Sequence, residues 1–397
     1  MQGGDGTTQA ADARAALQGI RAALAFFAAG ALVGGPWDML WHLQSPFESF
    51  FSAPHLFIYG MTAASIVLVL SIALKPQLRG AFGEGRRIPL LGQSVPGSLV
   101  LLGAGLLVLL LSGLLDELWH GAFGVDETRL STPHAMFGWG LFVAMLGFAS
   151  ARLALAKEAP VGRGEAVLLA FLTLAFSLYA FLLPFLVYPT DATLRAIAGL
   201  PVIQAQSGAA HTFRIYEAWG VERSNPIFAV IAALWGGAAL KVCGSFDERP
   251  NTSLSAVAIA SALYSVLWFA FAARLGTQAD PRSWLPLPAL PAVLLLWLGR
   301  RKGWNPSTSQ WLAAAAFAGL TVLVWPPGHS AANPVAQIAI FAASMVAFKA
   351  ALLASGVAVL AVVEPNRRAA PGLPLVLGIL IPIMLGLLDL SMRWTTP

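Results

Sequence analysis

One phrase containing Asp, Trp-His and Pro-His is written twice in this chain at nearly the same spacing. The first copy runs Asp38-Met39-Leu40-Trp41-His42 and resumes at Ser52-Ala53-Pro54-His55. The second runs Asp116-Glu117-Leu118-Trp119-His120 and resumes at Ser131-Thr132-Pro133-His134. Together they hold four of the 6 histidines in the sequence. Two neutral imidazoles and one carboxylate suit copper, zinc, iron or nickel, and fit hard oxygen-seeking cations poorly. The chemistry on offer is metal binding, by Asp38, His42 and His55 and by Asp116, His120 and His134. The same residues also admit a structural reading, as caps, interhelical hydrogen bonds or a proton path.

Helical elements can bring these donors together. Asp38 and His42 are four positions apart, as are Asp116 and His120, so each pair shares one helix face. Each pair ends one apolar run, and each Pro-His opens the next. Ser52 and Ser131 are good N-cap residues, while Pro54 and Pro133 suit the first turn. A short loop between antiparallel helices sets the end of one beside the start of the next. Asp, His and His can therefore converge in each hairpin. Trp41 and Trp119 are expected at the membrane–water interface, where Trp is common.

Composition places these hairpins in a bilayer. Of 397 residues 57% are hydrophobic and 11% charged, against roughly 25% charged in a soluble domain. The mean hydropathy is +0.73. Apolar segments fit to cross a ~30 Å core fall at about 17–37, 53–74, 98–119, 133–155, 166–187, 226–244, 254–274, 284–299, 309–325, 336–363 and 372–391. The fold class expected is an all-α polytopic helical bundle of about eleven transmembrane helices. Residues 1–16 are polar and Gly/Ala/Thr-rich, and read as a disordered cytoplasmic tail. Residues 17–155 form the tandem two-hairpin region, and 156–397 the remaining helices with a long outer loop at 188–225.

Charge orients the bundle. Most of the 24 Lys and Arg residues fall on one side when the N-terminus is placed inside, which predicts N-in and C-out by the positive-inside bias. Every histidine then lies on the outer side, and with them Asp38, Glu48, Asp116, Glu117, Asp126 and Glu127. The expected location is a plasma (inner) membrane with the site on its extracytoplasmic face. The net charge of +5 is spread over short loops, so it does not point to nucleic acid. A single cysteine, Cys243, excludes an intramolecular disulfide and a Cys-based metal site within the chain. No nucleotide-binding or serine-hydrolase motif occurs in a suitable context.

Other polar residues are weaker candidates. His211 and Glu217, in the long outer loop, could serve as extra ligands or hydrogen-bond partners of ligands, or belong to an interfacial segment with aromatic anchors. His329 sits in a Pro-Pro-Gly-His turn, and Asp389 near the end of the last span. Lys349 lies near the middle of the run 336–363, where a charge is costly. It reads as a partner of an acidic group or the lining of a hydrated path, or else as a snorkelling lysine facing other helices, or as a break in the helix there.

The second copy, with Asp116, Trp119-His120, Asp126 and Thr132-Pro133-His134, resembles the metal-binding phrase of the C subunit of particulate methane and ammonia monooxygenases. The resemblance implies copper, with Asp116, His120 and His134 at the ligand positions and Asp126 at the downstream acidic position. In the first copy Asp38, His42 and His55 match the spacing, with Glu48 in the place of Asp126. Glu48 and Asp126 would then orient ring N–H groups. The family carries the phrase once per chain, whereas this chain carries it twice, and the cupredoxin domains of the monooxygenase B subunit are absent. The expectation is a membrane metalloprotein of the copper type, zinc or iron being the alternatives, as a subunit of an oxidoreductase with partner membrane subunits or as a homo-oligomer. The competing expectation is a transporter or metal-handling factor in which the same residues bind an ion or proton transiently. A heme-b carrier with histidine axial ligands ranks third.

Overall fold

The computed structural model of this chain describes residues 5–44, 49–88, 92–123, 131–182, 226–246, 250–274, 287–324, 334–364 and scattered positions between 380 and 387. Glu48, Asp126, His211, Glu217, His329, Asp389, the expected loop 188–225 and nearly all of the expected span 372–391 lie outside these described residues. So does the side chain of His42, although its backbone is helical.

The protein is mostly helical. Among the described residues six helices are long and apolar enough to cross a membrane: Thr8–Asp38, Ala53–Leu74, Gly97–Ala122, Thr132–Ala154, Arg163–Ala180 and Pro334–Ala354. The chain divides into two compact units, the first comprising Met1–Asp126, Leu130–Val161 and Val357–Asp389.

The first unit begins with α1 (Asp5–Ala29), a π turn (Gly30–Gly34) and α2 (Gly35–Gln44), which run on as one helix. Residues 5–16, expected to be disordered tail, are thus helical. Alanine is the strongest helix former, and Ala13, Ala16 and Leu17 are buried, so this segment has both the propensity and a packing partner. A π turn holds one residue more than an α turn, and so rotates the helix beyond it by about 100°. Gly30 and Gly34 permit close approach to the next helix, α3 (Ala53–Leu74). A methyl on Gly34 would lie 2.4 Å from Ile58 Cγ1. A short helix, α4 (Pro76–Gly80), and a hairpin of β1 (Arg86–Ile88) and β2 (Gln93–Val95) lead to α5.

The core of this unit is the pair α5 (Gly97–Phe123) and α6 (Thr132–Ala154). Every residue of α6 from Gly138 to Arg152 is buried. On α5 the residues Leu107, Leu111, Leu114 and Leu118 are exposed. Their spacing makes one helical stripe, an apolar face suited to lipid. On the opposite face glycines let the two backbones touch. A methyl on Gly147 would lie 2.3 Å from Leu102 Cα, one on Gly105 2.2 Å from Ala144 N, and one on Gly140 2.7 Å from Leu109 N. These three contacts share one antiparallel register. Continued along the pair, that register sets Asp116 against the Pro133–His134 start of α6.

The second unit, Glu127–Arg129, Gly162–Gly356 and Leu390–Pro397, contains α7 (Arg163–Ser177) with a following π turn (Leu178–Leu182), α8 (Pro226–Cys243), α9 (Pro250–Arg274), α10 (Ala289–Arg301), α11 (Pro306–Val324) and α12 (Pro334–Ala354). Trp235 Nε1 donates to Ser177 Oγ at 3.0 Å, tying α8 to α7. A methyl on Gly237 would lie 2.2 Å from Phe348 O, so α8 and α12 also touch backbone to backbone. In the proline-rich segment expected at 284–299, the described residues from 287 onward form the 13-residue helix α10, which starts at Ala289 behind Pro288. The long run 336–363 is two helices, α12 and α13 (Gly356–Val363), separated at Ser355.

That break changes the setting of Lys349. It lies near the end of α12 rather than mid-helix, with its Nζ 3.0 Å from Ser307 Oγ at the start of α11. The ammonium also stands 4.1 Å from the ring centroid of Trp311. This is the snorkelling arrangement, an apolar stem with its charge directed to a helix end.

Candidate functional site

Both copies of the motif belong to the first unit. In the first, α2 carries Asp38 and α3 opens with His55 in its first turn. His55 Nε2 stands 3.1 Å from Asp38 Oδ1. The other ring nitrogen, Nδ1, lies 2.9 Å from the carbonyl oxygen of Ser49. A carbonyl oxygen only accepts, so Nδ1 carries the proton in this bond. In the neutral ring, Nε2 then has a lone pair, and it faces a carboxylate oxygen.

In the second copy, Asp116 and His120 sit one turn apart on α5, with His120 Nε2 3.3 Å from Asp116 Oδ2. His134, in the first turn of α6, places Nδ1 3.7 Å from Asp116 Oδ1. The His120 and His134 ring centroids are 6.3 Å apart, edge to face. Asp116 thus stands between two imidazoles on two helices, where the glycine register of α5 and α6 delivers it.

Ser52 and Ser131 occupy the expected N-cap positions, with Pro54 and Pro133 in the first turns, but do not cap through their side chains. The Ser52 and Ser131 carbonyls accept the first bonds of α3 and α6, from Leu56 N and Ala135 N. Neither hydroxyl caps a backbone N–H. Ser131 Oγ instead lies 2.9 Å from His134 Nδ1, so the residue that starts the helix also holds the ring. Trp119 is buried, with 8% of its surface exposed.

The two copies meet. His55 from the first and Asp116, Glu117 and His120 from the second line one crevice, together with Phe50, Tyr59 and Gly113. Gly113 makes room for Tyr59: a methyl there would lie 2.1 Å from Tyr59 Cζ. Tyr59 stacks on Phe50 with ring centroids 5.2 Å apart. Phe50 N donates to Glu117 Oε2 at 2.8 Å, a bond from the loop of one copy to the helix of the other.

No family model, curated protein or solved structure matches this chain.

The arrangement offers carboxylate–imidazole pairs. Two donors each about 2.0–2.1 Å from one ion stand roughly 3–3.5 Å apart, and the pairs at 3.1 and 3.3 Å have that separation. Among the described residues no group of three or more His, Cys, Asp or Glu side chains is arranged to hold a metal ion. Sequence reasoning passed over Ser49, Tyr59, Gly113 and the role of Glu117. One signal for Glu117 was available, since it is the acidic residue at the place where the first copy has Met39.

Proposed function

We propose that the chain is an integral membrane metalloprotein of the copper type, its donors drawn from Asp38, His42, His55, Asp116, His120 and His134. One observation carries the reading. His55 Nδ1 is engaged by the Ser49 carbonyl, and its Nε2 faces Asp38 Oδ1 across 3.1 Å. Two acceptors at that distance repel unless a cation lies between them. A copper ion, with zinc or iron as alternatives, takes such a donor pair. The spacing of the Asp116–His120 pair supports the same chemistry in the second copy.

The finer features of the reading are a bundle of about eleven spans with the N-terminus inside and the C-terminus outside, in the plasma membrane. The site then faces the extracytoplasmic side. The local resemblance to the monooxygenase C subunits favours a subunit of a copper-dependent membrane oxidoreductase, assembled with partner membrane subunits or with copies of itself. A second reading draws on the same 3.1 Å gap, which a proton fills as well as a metal. On that reading the protein is a transporter or metal-handling factor that binds an ion or proton transiently.

Elemental analysis of detergent-purified protein decides between them. Copper, zinc or iron in the wild type, lost from a variant carrying His120→Ala and His134→Ala, supports the metal centre. Equal, near-zero content of all three in both proteins rejects it and favours the proton. An optical spectrum of the same samples tests for heme by its Soret band.

A further inference from the structure

Glu117 and His55 are bound to opposite ends of one amide. The Phe50 N–H that donates to Glu117 Oε2 at 2.8 Å and the Ser49 carbonyl that stands 2.9 Å from His55 Nδ1 belong to the same peptide group. A carboxylate accepting from the N–H of an amide polarises that amide and strengthens its oxygen as an acceptor. The hydrogen bond at one ring nitrogen decides which nitrogen of a histidine keeps its lone pair. We propose that Glu117 is a positioning residue of the site: acting through the Ser49–Phe50 peptide, it holds the proton of His55 on Nδ1 and aims Nε2 at Asp38 and the crevice. The two motif copies are therefore one site, because the second copy sets the ring of the first.

The surroundings agree with this role. Tyr59 packs on Phe50 at 5.2 Å and its ring centroid lies 6.1 Å from that of His55. Gly113, one turn before Glu117 on α5, admits Tyr59. The amide is thus held from α5 on one side and from α3 on the other. At the position of Glu117 the first copy has Met39, whose side chain cannot accept such a bond as a carboxylate does.

The proposal rests on the reading of the site as a metal centre only for its effect on affinity, so the test has two arms. Full-length, metal-free protein labelled with nitrogen-15 histidine is reconstituted in lipid, and the ring nitrogens of His55 are identified by their loss in His55→Ala. A protonated Nδ1 in the wild type, a mixed population in Glu117→Ala, and retention in Glu117→Gln, which keeps an acceptor, are expected. In the second arm, copper(II) ions are titrated into the same proteins. Loss of a hydrogen-bond partner behind a ligand weakens binding about 10–100-fold, and that loss is expected in Glu117→Ala and largely restored in Glu117→Gln. An unprotonated Nδ1 in the wild type overturns the proposal without any variant. An unchanged His55 spectrum in Glu117→Ala, or equal effects of Ala and Gln, also overturns it. A Glu117-dependent His55 spectrum in a protein that binds no copper leaves the positioning role of Glu117 standing and refutes the metal centre alone.

Discussion

Gly103 and Gly105 stand two positions apart on α5, and the same substitution should move stability in opposite directions at the two sites. An alanine methyl at Gly103 meets nothing within 4 Å. It should therefore contribute the helix preference of Ala over Gly, about 0.8–1.0 kcal/mol. At Gly105 the methyl would lie 2.2 Å from Ala144 N, 2.6 Å from Ala144 Cα and 2.7 Å from Val143 C. Ordinary contacts between carbon atoms are about 3.5–4.0 Å, so α5 and α6 must part by about 1 Å. Overpacking of this kind costs about 1–3 kcal/mol, and here the obstacle is backbone, which has no rotamer to change. With the helix preference subtracted, Gly105→Ala should destabilise by up to roughly 2 kcal/mol, and it should fall below Gly103→Ala by the overpacking cost, about 1–3 kcal/mol. Circular dichroism during denaturation of the detergent-purified variants measures the difference. The same parting of the helices would widen the 3.7 Å approach of His134 to Asp116, so metal content should fall in Gly105→Ala and hold in Gly103→Ala. Equal midpoints for the two variants, or shifts of the same sign, would refute the backbone-contact account of this helix pair.

Ser131→Ala removes the hydroxyl that holds His134 Nδ1 and should cost about 0.5–1.5 kcal/mol. Metal content in that variant should drop, which elemental analysis beside the wild type checks. Lys349→Met should lower the thermal midpoint only slightly, since an exposed cation–π contact contributes about 0.5–1 kcal/mol, and should leave metal content unchanged. Loss of metal there would show that Lys349 acts on the site. Ala16→Asp places a charge where the side chain has 0% exposure, a burial that is strongly unfavourable. The variant should fail to accumulate in the membrane, whereas Gln9→Asp on an exposed position of α1 should behave as wild type in a fluorescence-tagged expression assay.

The sequence made some of this legible and concealed the rest for physical reasons. Helix α3 begins at Ala53 and ends at Leu74 as hydropathy and the Ser52-Ala53-Pro54 start require, because a capped apolar run in a bilayer has few alternatives. The juxtaposition of Asp116 and His120 followed from helix periodicity alone. Which face of α5 meets α6 was not legible, because exposed Leu107 and buried Leu106 are the same residue type. Hydropathy cannot separate two apolar surroundings, and the small residues that do so, Gly105, Gly140 and Gly147, are scattered among many glycines. The meeting of the two motif copies was hidden as well, since it depends on a backbone amide, and the Ser49–Phe50 peptide has no signature in residue types. The helix at residues 5–16 was missed because its polar residues suggested solvent, while Ala13 and Ala16, three positions apart, already formed a packing face.

The π turn at Gly30–Gly34 has a bearing on how such motifs are compared between proteins. It holds one surplus residue just upstream of Asp38, Trp41 and His42. Removing any single residue from that turn would leave the first motif intact letter for letter. It would also restore an uninterrupted α-helix and swing the motif about 100° around its axis, away from His55. A chain can therefore carry the complete phrase and lack the pair it forms here. The difference would appear in an alignment only as a one-position gap among small residues, outside the motif altogether.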